Sequence, residues 1–147
     1  MSKIDPAAII AEARSWLGTP YRHQAGVKHI GCDCLGLVRG VYEAVVGRAS
    51  EEPPAYSALW AEERPDDILL QAAARHLEPH DGDQFQLADV LAFRWALAFP
   101  AKHLAIVTAP DRMIHAYDGA AVVETAIGPW WRRRIAGVFS FPGVLRP

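Results

Sequence analysis

From Asp89 onward the sequence falls into five short strand-like runs, while before that point its apolar residues recur at helical spacing. The runs are Asp89–Trp95, His103–Thr108, Arg112–Tyr117, Ala120–Thr125 and Ile135–Phe141, parted by Pro, Gly and Asp turn signals. Helices first and a meandering antiparallel sheet afterwards define an α+β domain. At 147 residues, 51% of them hydrophobic, the chain has the size of one compact domain over 1–147 with a single core.

The helical half is punctuated clearly. Asp5-Pro6 followed by Ala7, Ile9, Ile10, Ala13, Trp16 and Leu17 predicts an N-capped helix with proline in its first turn, ended by Gly18. Thr19 to Asp33 reads as loop, since Pro20, Gly26 and Gly31 break any period. Cys34, Leu37, Val38, Val41 and Val45 then form one apolar stripe, which predicts a core helix over Cys34 to Val46, capped by Asp33 and ended by Gly47. Gly36 and Gly40 inside that helix each cost roughly 1 kcal/mol relative to alanine, which points to close approach of another element. Ser50 to Pro65 carries three prolines and little periodicity, Asp66 to Leu77 reads as a further helix, and Glu78 to Gln86 as polar loop.

Charge excludes some classes of partner. Fifteen basic and 17 acidic residues give a net charge of -2, so no general pull toward nucleic acid or anionic membrane is expected. No apolar stretch reaches the ~20 residues of a membrane span, and Met1-Ser-Lys-Ile-Asp-Pro6 lacks the features of a secretory signal. Synthesis in the cytoplasm without a signal peptide is the expectation. The two cysteines, Cys32 and Cys34, are one residue apart and poorly placed for a disulfide with each other. Reactivity, metal binding or burial remain for them.

Cys34 stands at the tip of the core helix, where the helix terminus favours negative charge and hence a thiolate. Taken alone it reads better as a small buried hydrophobe. A nucleophile needs a base, and a base needs a group to orient it. Six histidines are present: His23 and His29 in the loop before Cys34, His76 and His80 in polar surroundings, and His103 and His115 on apolar strand runs. Ala109-Pro110-Asp111 reads as a three-residue hairpin connection. Thr108 would then face Arg112, His115 would face Ala105, and His103 would lie on the diagonal about 7 to 8 Å away on the same face. A two-residue turn would put the rings on opposite faces, leaving two unrelated strand histidines.

Trp16-Leu-Gly-Thr-Pro-Tyr21, Gly31-Cys-Asp-Cys-Leu-Gly-Leu-Val38, His103-Leu-Ala-Ile-Val107 and Ile114-His-Ala116 occur in that order. With these motifs the chain resembles the NlpC family of bacterial cell-wall cysteine peptidases. Trp130-Trp-Arg-Arg-Arg134 and Phe139-Ser-Phe-Pro-Gly143 further resemble members encoded in the tail modules of bacteriophages and gene transfer agents. The resemblance implies a papain-like fold, with the nucleophile helix packed on the sheet that carries both histidines. It also implies Cys34 as nucleophile, His103 as general base and His115 as the orienting residue. Tyr21 would line the site and help stabilise the oxyanion beside the backbone N–H of Cys34. Asp33 would bind the amine end of a stem peptide, although a plain helix cap accounts for it equally. The implied activity is hydrolysis of peptidoglycan stem peptides at the D-glutamyl-diaminopimelate bond, with no cofactor. A structural tail-tip role with ancillary peptidase activity, and a related acyl transfer, are the rival expectations. With no export signal, action at the cell wall as part of a phage-like particle with tail proteins as partners is expected.

The chain departs from the family in having Leu35 where serine usually follows the nucleophile. Cys32 is also outside the usual motif. Cys32, Cys34, His103 and His115 together number the four ligands of a zinc site, but one-residue spacing is unusual for zinc, and no metal is expected. Arg132, Arg133 and Arg134 form the densest basic run, suited either to wall carboxylates or to a solvated strand edge.

Overall fold

The computed structural model describes residues 3–47 and 68–146. Helix α1, Pro6–Arg14, starts as its sequence dictates, with the Asp5 carboxylate accepting the Ala7 N–H at 2.9 Å and proline in the first turn. It stops before the apolar pattern does. The Ser15 hydroxyl donates to the Glu12 carbonyl at 2.5 Å, Ser15 to Gly18 wind on as turns, and Gly18 reverses the chain at φ +86°. Trp16 is nevertheless buried.

The expected loop from Thr19 to Asp33 is irregular for most of its length but holds a small hairpin, β1 (Gly26–Val27) and β2 (Gly31–Cys32). Two-residue strands carry no alternation to read. Helix α2, Cys34–Val45, is capped by Asp33, whose Oδ1 accepts the Gly36 N–H at 2.8 Å, and Gly47 beyond it takes φ +134°. Leu37, Val38 and Val41 form its buried face. Both helix glycines are places of contact: a Cβ on Gly36 would collide with the Ala25 carbonyl, and one on Gly40 with the Trp16 indole. The loop expected over Ser50 to Pro65 lies outside the described residues. Helix α3, Ile68–His76, falls within the predicted span.

Six strands form the main sheet, β3 (Glu78–His80), β4 (Val90–Phe93), β5 (His103–Ala109), β6 (Arg112–Ala116), β7 (Val122–Ala126) and β8 (Ile135–Ser140), in the order β3-β8-β4-β5-β6-β7 and antiparallel throughout. The meander therefore holds only from β4 to β7. After the one-turn helix α4, Pro129–Arg132, the chain crosses back so that β8 pairs with the far side of β4. Strand β3 corrects the loop expected over Glu78 to Gln86. It is a three-residue edge carrying Pro79, a place where proline is tolerated and no pattern announces a strand.

The sheet is covered on both faces. Helix α2 packs on β5 and β6, and α1 packs on α2 and β5. Leu37, Val38 and Val41 share a core with Val90, Ala92, Leu104, Ile106, Ile114 and Ala116. The alternate residues Leu91, Phe93, Ala105, Val107 and Met113 form a second core with Ile127 and Val138, against which Phe85 and Trp131 pack, so the expected single core is in fact two, one on each face of the sheet. No helix among the described residues is long and apolar enough to cross a membrane.

The β5–β6 connection differs from the expected three-residue loop. Ala109 pairs with Arg112 across a two-residue Pro110-Asp111 turn, but Val107 pairs with Met113 and Ile106 with Ile114, leaving Thr108 as a bulge. The bulge adds the one residue that the turn lacks. His115 consequently continues the register opposite Ala105, as a three-residue loop would have placed it.

Candidate active site

Every step of the site follows from these elements. The Asp33 cap starts α2 at Cys34, so the thiol projects from the helix tip toward the start of β5, with Sγ 4.0 Å from the Lys102 carbonyl oxygen. The opening of the sheet end beside it is a cleft of about 140 Å³ lined by Tyr21, His23, Asp33, Cys34, Leu35, Trp95, Lys102, His103, Ala116, Tyr117 and Asp118. Four of the five expected site residues thus meet in one cleft. The fifth, His115, stands directly behind.

His103 and His115 are 6% and 1% exposed, and the bulged hairpin brings them onto one face as expected. His103 Nε2 lies 2.8 Å from His115 Nδ1, which leaves His103 Nδ1 as the ring nitrogen without a place in this bond. The rings meet edge-on, with centroids 5.0 Å apart at 76°. His115 Nε2 in turn lies 2.9 Å from the Thr125 hydroxyl. The pair shares the face of Phe93 and Trp131, opposite the face on which α2 packs. Cys34 and His103 therefore approach from the two sides of the sheet and meet at its end.

Burial, and secondarily the charges of His115 and Lys102, pushes His103 down to about 3, and burial pushes His115 down to about 4. Burial and then the Asp33 carboxylate push the Cys34 thiol up to about 12, against backbone N–H groups of Leu104, Leu35 and Cys34 that favour the thiolate. Burial thus favours the neutral thiol and the neutral imidazoles in this cleft. Tyr21 is half-buried, and burial followed by Cys34 raises its hydroxyl pKa, so it remains a proton donor at any physiological pH. Asp33 is 3% exposed; Oδ1 caps Gly36, and Oδ2 accepts the Gln24 N–H at 2.8 Å. The Gln24 backbone has φ +62°, so the carboxylate ties a strained loop to the helix tip.

In a search of solved structures this chain is similar to the NlpC/p60 domain of the peptidoglycan hydrolase SagA, at 25% identity and a TM-score of 0.66, over 92% of this chain and 98% of that one. Its fold is that of the NlpC/P60 domain. An NlpC/P60 family protein from Bacillus cereus ATCC 10987 matches over 95% of this chain at 20% identity and a TM-score of 0.66. A lipoprotein-like NLP/P60 family protein from Staphylococcus aureus Mu50 matches over 96% at 19% and 0.61. This chain spans only 41% and 42% of those two, respectively. No family model and no curated protein matches the sequence. The likeness read from the motifs and the expected α+β, papain-like architecture are both borne out at the level of fold.

Around this NlpC/P60 core the structure adds residues that the sequence did not single out. Trp131, on α4, has its ring centroid 5.6 Å from that of His103 and 5.3 Å from that of His115, closing the pair off on the side away from α2. Trp95 stacks on His103 at 5.6 Å and 28°, and Tyr117 meets both rings edge-on. A one-turn helix has no readable period, so the Trp130–Arg134 segment gave no sign that Trp131 covers the histidines. Thr125 was legible in principle: it lies diagonal to His115 once Met113 is known to pair with Thr125.

Of the remaining candidates, His23 lines the cleft. His29 does not, but its backbone N–H, at φ +68°, donates to Thr19 Oγ1 at 3.0 Å. Cys32 is buried in β2 within the core, where burial and then Asp33 push its thiol up to about 12. Among the described residues no three His, Cys, Asp or Glu side chains gather to hold a metal ion. The arginine run is neither strand edge nor open patch throughout. Arg132 Nε donates to the Ile127 carbonyl and its guanidinium covers Phe85, while Arg134 lies 3.8 Å over Trp130 and donates to the carbonyls of Trp95 and Trp130.

Proposed function

We propose that this chain is a cysteine peptidase that hydrolyses amide bonds in peptidoglycan stem peptides, acting as one domain over 1–147. The observation that carries the reading is the meeting of Cys34 and His103 in one cleft, with His115 bonded behind His103 at 2.8 Å, in a fold similar to that of a peptidoglycan hydrolase domain. Cys34 is the nucleophile. Because thiol and imidazole are both neutral at rest, His103 Nδ1 takes the proton as sulfur attacks the carbonyl, then gives it to the leaving amine. Water afterwards releases the acyl group from sulfur. His115 orients His103. The Tyr21 hydroxyl and the Cys34 N–H face the developing oxyanion, a type of interaction worth roughly 10² to 10³ in rate.

The bond between D-glutamate and diaminopimelate is the target that the motif resemblance suggests. Asp33 supports it as an anion beside the nucleophile, while its two backbone bonds give it a structural task as well. Leu35 lines the cleft and makes that wall apolar. Delivery by a phage-like tail rests on the likeness of the Trp130–Arg134 and Phe139–Gly143 segments alone, and finding the protein in purified particles tests it.

Mass spectrometry of products from defined muropeptides tests the activity and names the bond. The wild type is expected to release free stem-peptide fragments, and Cys34→Ser to release none while unfolding at the same temperature. Full turnover by Cys34→Ser would refute the assignment. Products joined to an added amine would assign acyl transfer in place of hydrolysis.

A further inference from the structure

Thr125 ends a line of polar side chains that crosses three neighbouring strands on one face of the sheet. His103 on β5, His115 on β6 and Thr125 on β7 are bonded in succession at 2.8 and 2.9 Å. Each step is a diagonal of the ladder, since His115 pairs with Val123 and Met113 with Thr125. His115 is 1% exposed, so its Nε2 has little access to water in place of the Thr125 hydroxyl.

We propose that Thr125 is a positioning residue that holds the His103–His115 pair in the tautomer a general base requires. The proposal rests on the peptidase reading of Cys34 and His103. To accept the thiol proton, His103 must have a bare Nδ1 and carry its own proton on Nε2. That N–H donates to His115 Nδ1, which must be bare in turn, so His115 carries its proton on Nε2. A buried N–H without an acceptor is among the rarest features of a folded protein, whereas a bare acceptor nitrogen is tolerated better. The Thr125 hydroxyl is the acceptor that permits His115 Nε2–H.

In Thr125→Val the shape is kept and the acceptor is lost. His115 then shifts its proton to Nδ1 and donates it to His103 Nε2. The His103 proton moves to Nδ1, where it blocks uptake of the thiol proton. The tautomer rather than the geometry carries the effect, as it does when an orienting carboxylate of a serine protease is replaced by an amide.

The test pairs kinetics on muropeptides with ring-nitrogen NMR of histidine-labelled protein. For Thr125→Val the expected result is kcat lowered at least about tenfold and by no more than the roughly 10² to 10⁴ that a positioned base supplies, and KM changed less than about twofold. Thr125→Ser is expected to restore kcat. NMR is expected to show His115 protonated on Nε2 in wild type and Thr125→Ser, and on Nδ1 in Thr125→Val. An unchanged kcat with unchanged tautomers in Thr125→Val overturns the proposal, and so does a wild type with His115 protonated on Nδ1. If the wild type cuts no muropeptide, the peptidase reading fails, while the NMR comparison still decides the role of Thr125. Should Thr125→Val not fold, the wild-type tautomer and the Thr125→Ser variant decide it.

Discussion

The buried histidine pair makes folding stability depend on pH between about pH 8 and about pH 5. His103 and His115 are held down to about 3 and about 4, against an ordinary value of 6.5. A histidine kept neutral by the fold contributes stability that is fully present above its unfolded pKa and is lost as pH falls toward its folded one. Each such group gives up roughly 1.4 kcal/mol for every pH unit below its unfolded value. Between about pH 8 and about pH 5, where both folded-state values are still well below the solution pH, each contributes about 2 kcal/mol and the pair about 4 kcal/mol. Carboxylates such as Glu124, lowered first by its bond from Thr108, add their loss at more acid pH. Urea unfolding at a series of pH values, followed by fluorescence, measures the slope. In His103→Gln or His115→Gln it is expected to halve, and in the double variant to vanish, other titrating groups cancelling in the comparison. A wild-type stability that is flat over this window, or a single variant that keeps the full slope, would refute the reasoning.

Trp131→Ala removes the ring that covers both histidines, and it is expected to cost about 3 kcal/mol. The same change admits water to the pair and raises both pKa values toward 6.5, which an NMR titration of the ring protons reads. Gly40→Ala drives a methyl group into the Trp16 indole, and should destabilise by about 1 to 3 kcal/mol in chemical denaturation with a shifted Trp16 emission. Gly36→Ala meets the Ala25 carbonyl, which is backbone and yields less, so its cost should be the larger of the two. Asp33→Ala leaves the Gly36 and Gln24 N–H groups without their acceptor, for about 2 kcal/mol in the same assay, whatever it does to turnover.

The parts of this fold that were legible in the sequence are those with a period or a cap. Helix α2 came out within a residue of its end because Asp33, the Leu37, Val38 and Val41 stripe and Gly47 all agree. Strands β4 to β8 came out because Pro, Gly and Asp residues separate them. Strand β3 and the β1–β2 hairpin are two or three residues long, and nothing local marks so short a strand. The crossing that takes β8 to the far side of β4 is a tertiary choice, made by which edge offers an apolar partner rather than by β8 itself. At the site, residue type and motif brought out Cys34, His103 and His115. Trp131 was legible only as part of the Trp130–Arg134 segment and Thr125 only as the end of a strand-like run, since each matters to the histidine pair only through what folding sets beside it.

The bulge at Thr108 gives the β5–β6 hairpin a rule of parity. Ring contact between His103 and His115 needs an odd number of residues between Val107 and its mirror position at Met113, and it is indifferent to how they divide between turn and strand. A single-residue insertion or deletion from Thr108 to Asp111 would therefore turn His115 to the helix side and dissolve the pair, although no histidine was touched. A change of two residues would leave it intact. Length variation in this hairpin is thus constrained to steps of two, and lengthening it by one and then by a second residue should abolish and then restore the histidine contact.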